Sequence, residues 1–185
     1  MDKGVFIDRD GTINVEREFL YLPEEFEFIP GAPEAIRLLN EANFRVIVVT
    51  NQSGIARGYY DEAAVNTLHL HMDCELQRFG ASVDAYYYCP HHPDYGTGVY
   101  RKRCDCRKPM DGMVRRGAKE FSLDLSSCYM IGDRRADVEA ALNAGCRPIM
   151  VRTGYGAAES AVIPPGIPVY NDLLEAVRVI IGEKT

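Results

Sequence analysis

The stretch Val5-Phe6-Ile7-Asp8-Arg9-Asp10-Gly11-Thr12 places two carboxylates one residue apart at the end of an apolar run. β-Branched and aromatic residues mark that run as a buried strand. Asp8 and Asp10 then fall at its carboxyl end, where Gly11 lets the chain turn. Carboxylates this close repel each other unless a cation or a bound ligand compensates. A turn in which Asp caps the next loop uses the same residues, so the pair needs support from elsewhere in the chain. Tyr129-Met130-Ile131-Gly132-Asp133 repeats the pattern, with Asp137 one helical turn further on. A third carboxylate beside the first two suits a hard cation with oxygen ligands, Mg²⁺ best of all; alone, Asp133 would equally cap a helix.

Two further stretches offer groups for an anion. Thr50, Asn51, Gln52 and Ser53 precede Gly54 at the end of another apolar run. Short polar residues with glycine after a strand can cradle a phosphate, although polar turns are also common there. Arg107 and Lys108 stand before Pro109 and could neutralise phosphate charge, Arg bidentately, or simply be solvated.

Cys89, His91, Cys104 and Cys106 give C-x-H, twelve residues, then C-x-C. Three thiolates and an imidazole suit a closed tetrahedral Zn²⁺ site. The metal would pin the turn-rich loop 89–106 and, through Cys106, the neighbouring Arg107 and Lys108. His92 is the rival imidazole. Cys74, Cys128 and Cys146 read as small buried hydrophobes, and His69 and His71 as surface groups on a helix.

Strands are expected at 4–8, 44–50, 84–89, 127–132 and 147–152. Helices are expected at 33–42, 61–79, 110–122, 134–144 and 171–181, the last capped by Asn171 or Asp172. Val65, Leu68, Met72, Leu76 and Phe79 share one face of the second helix. Residues 155–168 read as a loop around a short element. The alternation predicts an α/β fold with a mainly parallel sheet covered on both faces and a ligand site beyond the strands' carboxyl ends.

The 185 residues suffice for a single domain, 1–185. A net charge of -6 and a pI near 5.3 disfavour nucleic acid. No apolar run reaches membrane-spanning length, and the first residues carry no secretory pattern. A cytoplasmic protein with reduced thiols is expected, with no membrane partner and as a monomer.

In order, strand-D-x-D-G-T, strand-T-N, K-P and strand-G-D resemble the haloacid-dehalogenase-like phosphatase superfamily over residues 4 to 155. The resemblance implies a Rossmann-like fold with Asp8 as nucleophile and Asp10 as general acid and base. It implies Mg²⁺ on the Asp8 carboxylate, the Asp10 main-chain carbonyl and Asp133, with Thr50, Asn51, Arg107 and Lys108 stabilising phosphoryl charge. The strings DRDGTIN, TNQSGIARG, YYCPHHP, CDCRKP and VRTGYG resemble the zinc-loop family of heptose 1,7-bisphosphate phosphatases. That likeness favours His91 over His92. It implies substrate contacts at Asp8, Arg9, Asp10, Glu16, Arg17, Glu18, Phe19, Thr50, Asn51, Gln52, Ser53, Arg107, Lys108 and Arg134. Residues 16–19 carry no strong motif, and the position of Arg134 is often lysine in the family. The implied function is Mg²⁺-dependent removal of the C7 phosphate from a heptose 1,7-bisphosphate, a small phosphorylated sugar, in nucleotide-activated heptose synthesis for surface polysaccharide. Histidinol-phosphate phosphatase is the alternative with the same chemistry. A non-catalytic sugar-phosphate-binding protein is the alternative of another class, and the intact Asp8 and Asp10 speak against it. Between Asp8 and Thr50 lie 41 residues, and between Thr50 and Lys108 57. Neither interval has room for a separate cap domain, so an open site is expected.

Overall fold

A computed structural model describes residues 3–182. The expected direct entry of the chain into its first strand lies, for residues 1–2, outside the described residues. Six parallel strands form one sheet in the order β3-β2-β1-β4-β5-β6. They are β1 (Lys3–Ile7), β2 (Phe44–Asn51), β3 (Ala85–Cys89), β4 (Tyr129–Gly132), β5 (Arg147–Val151) and β6 (Val169–Tyr170). The helices are α1 (Ala32–Glu41), α2 (Gly54–Arg57), α3 (Glu62–Gln77), α4 (Gly112–Glu120), α5 (Arg135–Ala144), α6 (Gly156–Glu159) and α7 (Leu173–Ile181).

The central strands are apolar on both faces because helices cover both. Val5, Ile7, Val46 and Val48 pack with Ile36 and Leu39 of α1, Met72 and Leu76 of α3, and Leu173 and Val177 of α7. The alternate residues Phe6, Ile47 and Val49 turn to the other side. There they meet Met113 and Val114 of α4 and Ala140 and Ala141 of α5. Ile7 is in register with Val48 on one neighbour and Ile131 on the other. β1, β2 and β4 therefore end close together, at the point where strand order reverses and such sheets bind ligands.

The expected elements all form, with shifted ends. β6 is an addition: two residues among prolines are too short to show a strand period. Asp172, not Asn171, caps α7, accepting the Glu175 amide at 2.9 Å. Phe79 lies beyond the end of α3 and is 53% exposed. Cys74 is exposed, whereas Cys128 and Cys146 are buried as expected. Cys74 lies two residues from Met72 and so points away from the buried stripe. His69 is buried, contrary to expectation, because it continues that stripe between Val65 and Met72. The connection from β1 to α1 contains a 3₁₀ turn at Pro23–Glu25. It is tied to itself by Val15 N–H to Glu27 O and Ile29 N–H to Ile13 O. It forms no cap domain among the described residues. No helix among them is long and apolar enough to cross a membrane.

Candidate active site

The turn after β1 is built around the Arg9 carbonyl, which accepts the amides of Ile13 at 2.9 Å and Asn14 at 3.1 Å. Gly11 has φ +83°, and a Cβ there would sit 2.3 Å from Asp133 Oδ2. Glycine is thus required both for the turn and for the close approach of Asp133. Asp133 follows β4 and is fully buried, its Oδ2 accepting the Tyr155 amide at 2.8 Å. Asp137 accepts the Arg134 amide at 2.9 Å from inside the first turn of α5.

Lys108 joins these carboxylates. Its Nζ lies 2.6 Å from Asp8 Oδ1, 2.7 Å from Asp137 Oδ1 and 2.8 Å from the Val49 carbonyl. The contacts to Asp8 and Val49 are hydrogen bonds, whereas that to Asp137 is an ion pair, and Asp137 Oδ1 has no hydrogen-bond partner among the described residues. Asn51, expected to face an anion, holds the Lys108 main chain from both sides. It donates to Lys108 O at 3.1 Å and accepts from Lys108 N at 3.0 Å.

Carboxylate oxygens of Asp8, Asp133 and Asp137 lie within 4.8 Å of one another, with one lysine among them. Burial pushes Asp8 up to about 7; Lys108 opposes this, while Asp137 and Asp10 add to it. Burial, then Asp8 and Asp137, push Asp133 up to about 8. Burial lowers Lys108, but Asp137 and Asp8 more than offset it and hold the lysine above its ordinary value. Asp133 Oδ1 is buried with no hydrogen-bond partner among the described residues. An orphaned carboxylate oxygen in an all-oxygen, excess-negative cluster fits a hard divalent cation such as Mg²⁺.

A pH dependence of stability follows with magnesium withheld and zinc kept. Asp8 and Asp133 hold protons in the folded state up to about 7 and about 8, against an ordinary 3.8. Their contribution to stability is complete below the ordinary value and is lost as pH rises through the folded values. Because protons compete with the cation, added Mg²⁺ will raise the melting temperature more at pH 8.5 than at pH 6. An equal gain at both would contradict this electrostatic description.

Asp10 has a different environment. Arg9 Nη2 reaches its Oδ2 at 2.9 Å, Gln52 Nε2 the same oxygen at 2.9 Å, and Asn14 Nδ2 its Oδ1 at 3.0 Å. Burial raises Asp10, yet Arg9 and the amide hydrogen bonds together hold it below the usual carboxylate value. Arg9 is fully buried and Gln52 nearly so. Both were expected at the substrate, but their side chains stand behind Asp10 instead. Tyr60 O–H fixes Gln52 Oε1 at 2.7 Å, and Gln52 Nε2 also donates to Thr50 Oγ1 at 2.8 Å.

The cleft above these groups has a volume of about 570 Å³. Of the residues expected at the substrate, Asp8, Asp10, Glu16, Glu18, Phe19, Thr50, Asn51, Ser53, Arg107, Lys108 and Arg134 line it. Arg17 turns away and pairs with Glu27 at 2.8 Å. Ala136, Asp137, Tyr155 and Glu159 complete the lining. Tyr155 and Glu159 belong to a segment far from Asp133 in sequence; the VRTGYG string contains Tyr155 without giving it a role, and no local pattern marks Glu159. Arg134 stacks over the Tyr155 ring at 3.6 Å, with Glu16 at 3.6 Å and Glu159 at 3.8 Å. Burial, then Asp10, raise the Glu16 carboxyl above its ordinary value.

The cysteine cluster forms beside this cleft. Cys106 Sγ lies 3.2 Å from Cys89 Sγ and 3.3 Å from both Cys104 Sγ and His91 Nδ1. Cys89 and Cys104 are 3.5 Å apart. His92 lies outside this group and accepts the Asp94 and Tyr95 amides. Hydrogen bonding from Cys89 and Cys104 draws the Cys106 thiol down to about 5 against its burial. Three sulfurs and one imidazole nitrogen converging in this way fit Zn²⁺. Arg107 donates to His91 O at 3.3 Å, and Arg57 stacks over Tyr95 at 3.7 Å, so the loop braces one wall of the cleft. Metal analysis of the purified protein is expected to find about one zinc equivalent, and C104S to bind it more weakly. A folded, zinc-free parent protein would refute the site.

Comparison with known proteins fits this architecture. Family models described as haloacid dehalogenase-like hydrolase and HAD-hydrolase-like match residues 5–94 and 105–176. Fold and matches together define the class as a haloacid dehalogenase-like hydrolase. D-glycero-β-D-manno-heptose-1,7-bisphosphate 7-phosphatase of Haemophilus ducreyi is 42% identical over 82% of this chain and 84% of its own. The Photorhabdus laumondii protein of the same name is 40% identical over 98% and 96%. The solved D,D-heptose 1,7-bisphosphate phosphatase of B. bronchiseptica, complexed with magnesium and phosphate, superimposes with a TM-score of 0.89. It is 38% identical over all of both chains. The chain belongs to the family of these heptose-bisphosphate 7-phosphatases.

Proposed function

We propose that this chain hydrolyses the C7 phosphate of D-glycero-β-D-manno-heptose 1,7-bisphosphate through an aspartyl-phosphate on Asp8. The observation that carries the reading is the opposite settings of two carboxylates in one cleft. Asp8 is bound to Lys108 inside an acidic cluster, while Asp10 is held by Arg9, Asn14 and Gln52. Different surroundings give neighbouring carboxylates different roles.

An oxygen of Asp8 attacks phosphorus and the bond from phosphorus to the sugar oxygen breaks. Asp10, which the incoming phosphate biases toward its protonated form, gives its proton to the departing sugar oxygen. It then takes a proton from the water whose oxygen attacks the aspartyl-phosphate, releasing phosphate and restoring Asp8. Such acid–base help is worth roughly 10²–10⁴-fold. Lys108 holds Asp8 toward phosphorus and stabilises charge there. Thr50 Oγ1 accepts from Gln52, which leaves its hydroxyl proton for a phosphoryl oxygen. Mg²⁺ bound by Asp8, Asp133 and the Asp10 carbonyl would neutralise phosphate charge. Arg107 and Arg134 fit the remaining phosphate, and Glu16, Glu18 and Glu159 fit sugar hydroxyls.

The same reading takes the chain as one domain and a cytoplasmic monomer in nucleotide-activated heptose synthesis, with neither nucleic acid nor membrane as partner. Its net charge of -6 supports the exclusion of nucleic acid. Phosphate release should be fastest from the β-anomer of the bisphosphate, ahead of the α-anomer and far ahead of histidinol phosphate. Equal or reversed preference between bisphosphate and histidinol phosphate would reject the assignment.

A further inference from the structure

Arg9 brings a full charge into the interior, with its side chain fully buried. A guanidinium has only donors, and buried donors without acceptors are costly. Nη2 serves Asp10 and the Leu20 carbonyl, the latter at 3.3 Å, and Nε reaches Asp10 Oδ1 at 3.3 Å. Nη1 faces His69 Nε2 at 3.3 Å. Arginine cannot accept, so Nε2 must be the lone-pair nitrogen of a neutral ring that carries its proton on Nδ1. Burial, then the Arg9 charge, push His69 down to about 3, consistent with that form. The ring stacks on Tyr86 at 4.4 Å with 17° between planes, and Tyr86 O–H donates to Asp73 at 2.6 Å. α3 and β3 thus fix the imidazole plane.

We infer that His69 is a positioning residue for proton transfer, holding the Arg9 guanidinium in the orientation from which it presents the Asp10 carboxylate to the leaving oxygen. The inference rests on the role proposed for Asp10. Without an acceptor at Nη1 the guanidinium turns toward other acceptors. Asn14 and Gln52 still hold one Asp10 oxygen each, but the third support of the carboxylate is lost. Misplacement of a reacting group by about 1 Å can cost 10²-fold. The loss should fall on the step that needs the proton. A sugar alkoxide leaves poorly without one, whereas p-nitrophenolate leaves readily, so the two esters separate this role from a general structural one.

The test compares kcat/KM of the parent, H69F and H69Q on the heptose bisphosphate and on p-nitrophenyl phosphate. H69F is expected to lose about 10–100-fold on the sugar ester and less than about threefold on the aryl ester. H69Q, whose amide oxygen can accept from Arg9, is expected to recover most of the loss. Equal losses on both esters, no loss on either, or H69Q no better than H69F would overturn the inference. Nitrogen NMR of the parent needs no variant. Near neutral pH, His69 should be neutral with Nε2 unprotonated; a proton on Nε2 would also overturn it. A parent active on p-nitrophenyl phosphate but not on the bisphosphate would contradict the substrate reading instead. An alkyl phosphate that it does hydrolyse then enters the same comparison.

Discussion

Asp8→Asn will retain the fold and lose turnover by about 10⁴-fold or more, the scale seen when a covalent nucleophile is removed. The amide is nearly isosteric, and its oxygen can still accept from Lys108, so packing around β1 is preserved. What it lacks is a carboxylate able to bond phosphorus. The substitution also removes one of the acidic groups clustered within 4.8 Å. With magnesium withheld and zinc kept, D8N should therefore melt no lower than the parent above pH 7. Steady-state phosphate release measures the first effect and thermal melting the second. A variant that turns over at the parent's rate would remove Asp8 from the chemistry.

Lys108→Met will have the largest effect on stability. The ammonium is nearly inaccessible, and it is paired with Asp8 at 2.6 Å and Asp137 at 2.7 Å. Removing one partner of a buried pair costs about 3–5 kcal/mol, because the remaining charge is left uncompensated. Asp8 and Asp133 take up protons below about 7 and about 8. The loss should therefore be greatest above pH 8 and smaller near pH 6. Activity should fall by about 10²–10³-fold, as when one donor to developing charge is removed. Urea unfolding at the two pH values reads the first effect. A loss independent of pH would mean that the carboxylates around Lys108 are not strained by one another's charge.

The legible parts of the sequence were those whose signal is local. An apolar run ending in Asp8 and Asp10 identifies β1 and its turn. Cys89, Cys104 and Cys106 show their convergence with a histidine through spacing, and the resemblance chooses His91 over His92. Asp137 was visible only as a carboxylate one turn after Asp133; its pairing with Lys108 comes from the packing of α5 beside β4. Tyr155 and Glu159 reach the cleft because the chain after β5 folds back over Asp133, a tertiary event without a short-range mark. Residue type also does not separate side chains that face a ligand from those that support others. Arg9 and Gln52 are polar and flank the site, yet both are buried behind Asp10, and Asn51 spends its amide on the Lys108 backbone. His69 was misread although its helical position alone sets it on the stripe with Val65 and Met72.

The most direct test of the mechanism is rapid-quench labelling with heptose bisphosphate carrying radioactive phosphorus at C7. Within the first turnover the label should appear on the peptide containing Asp8, decay as phosphate is released, and be absent from D8N. Phosphate released at the full rate with no protein-bound label at any time, or with label on a different residue, would contradict a phosphoryl transfer through Asp8.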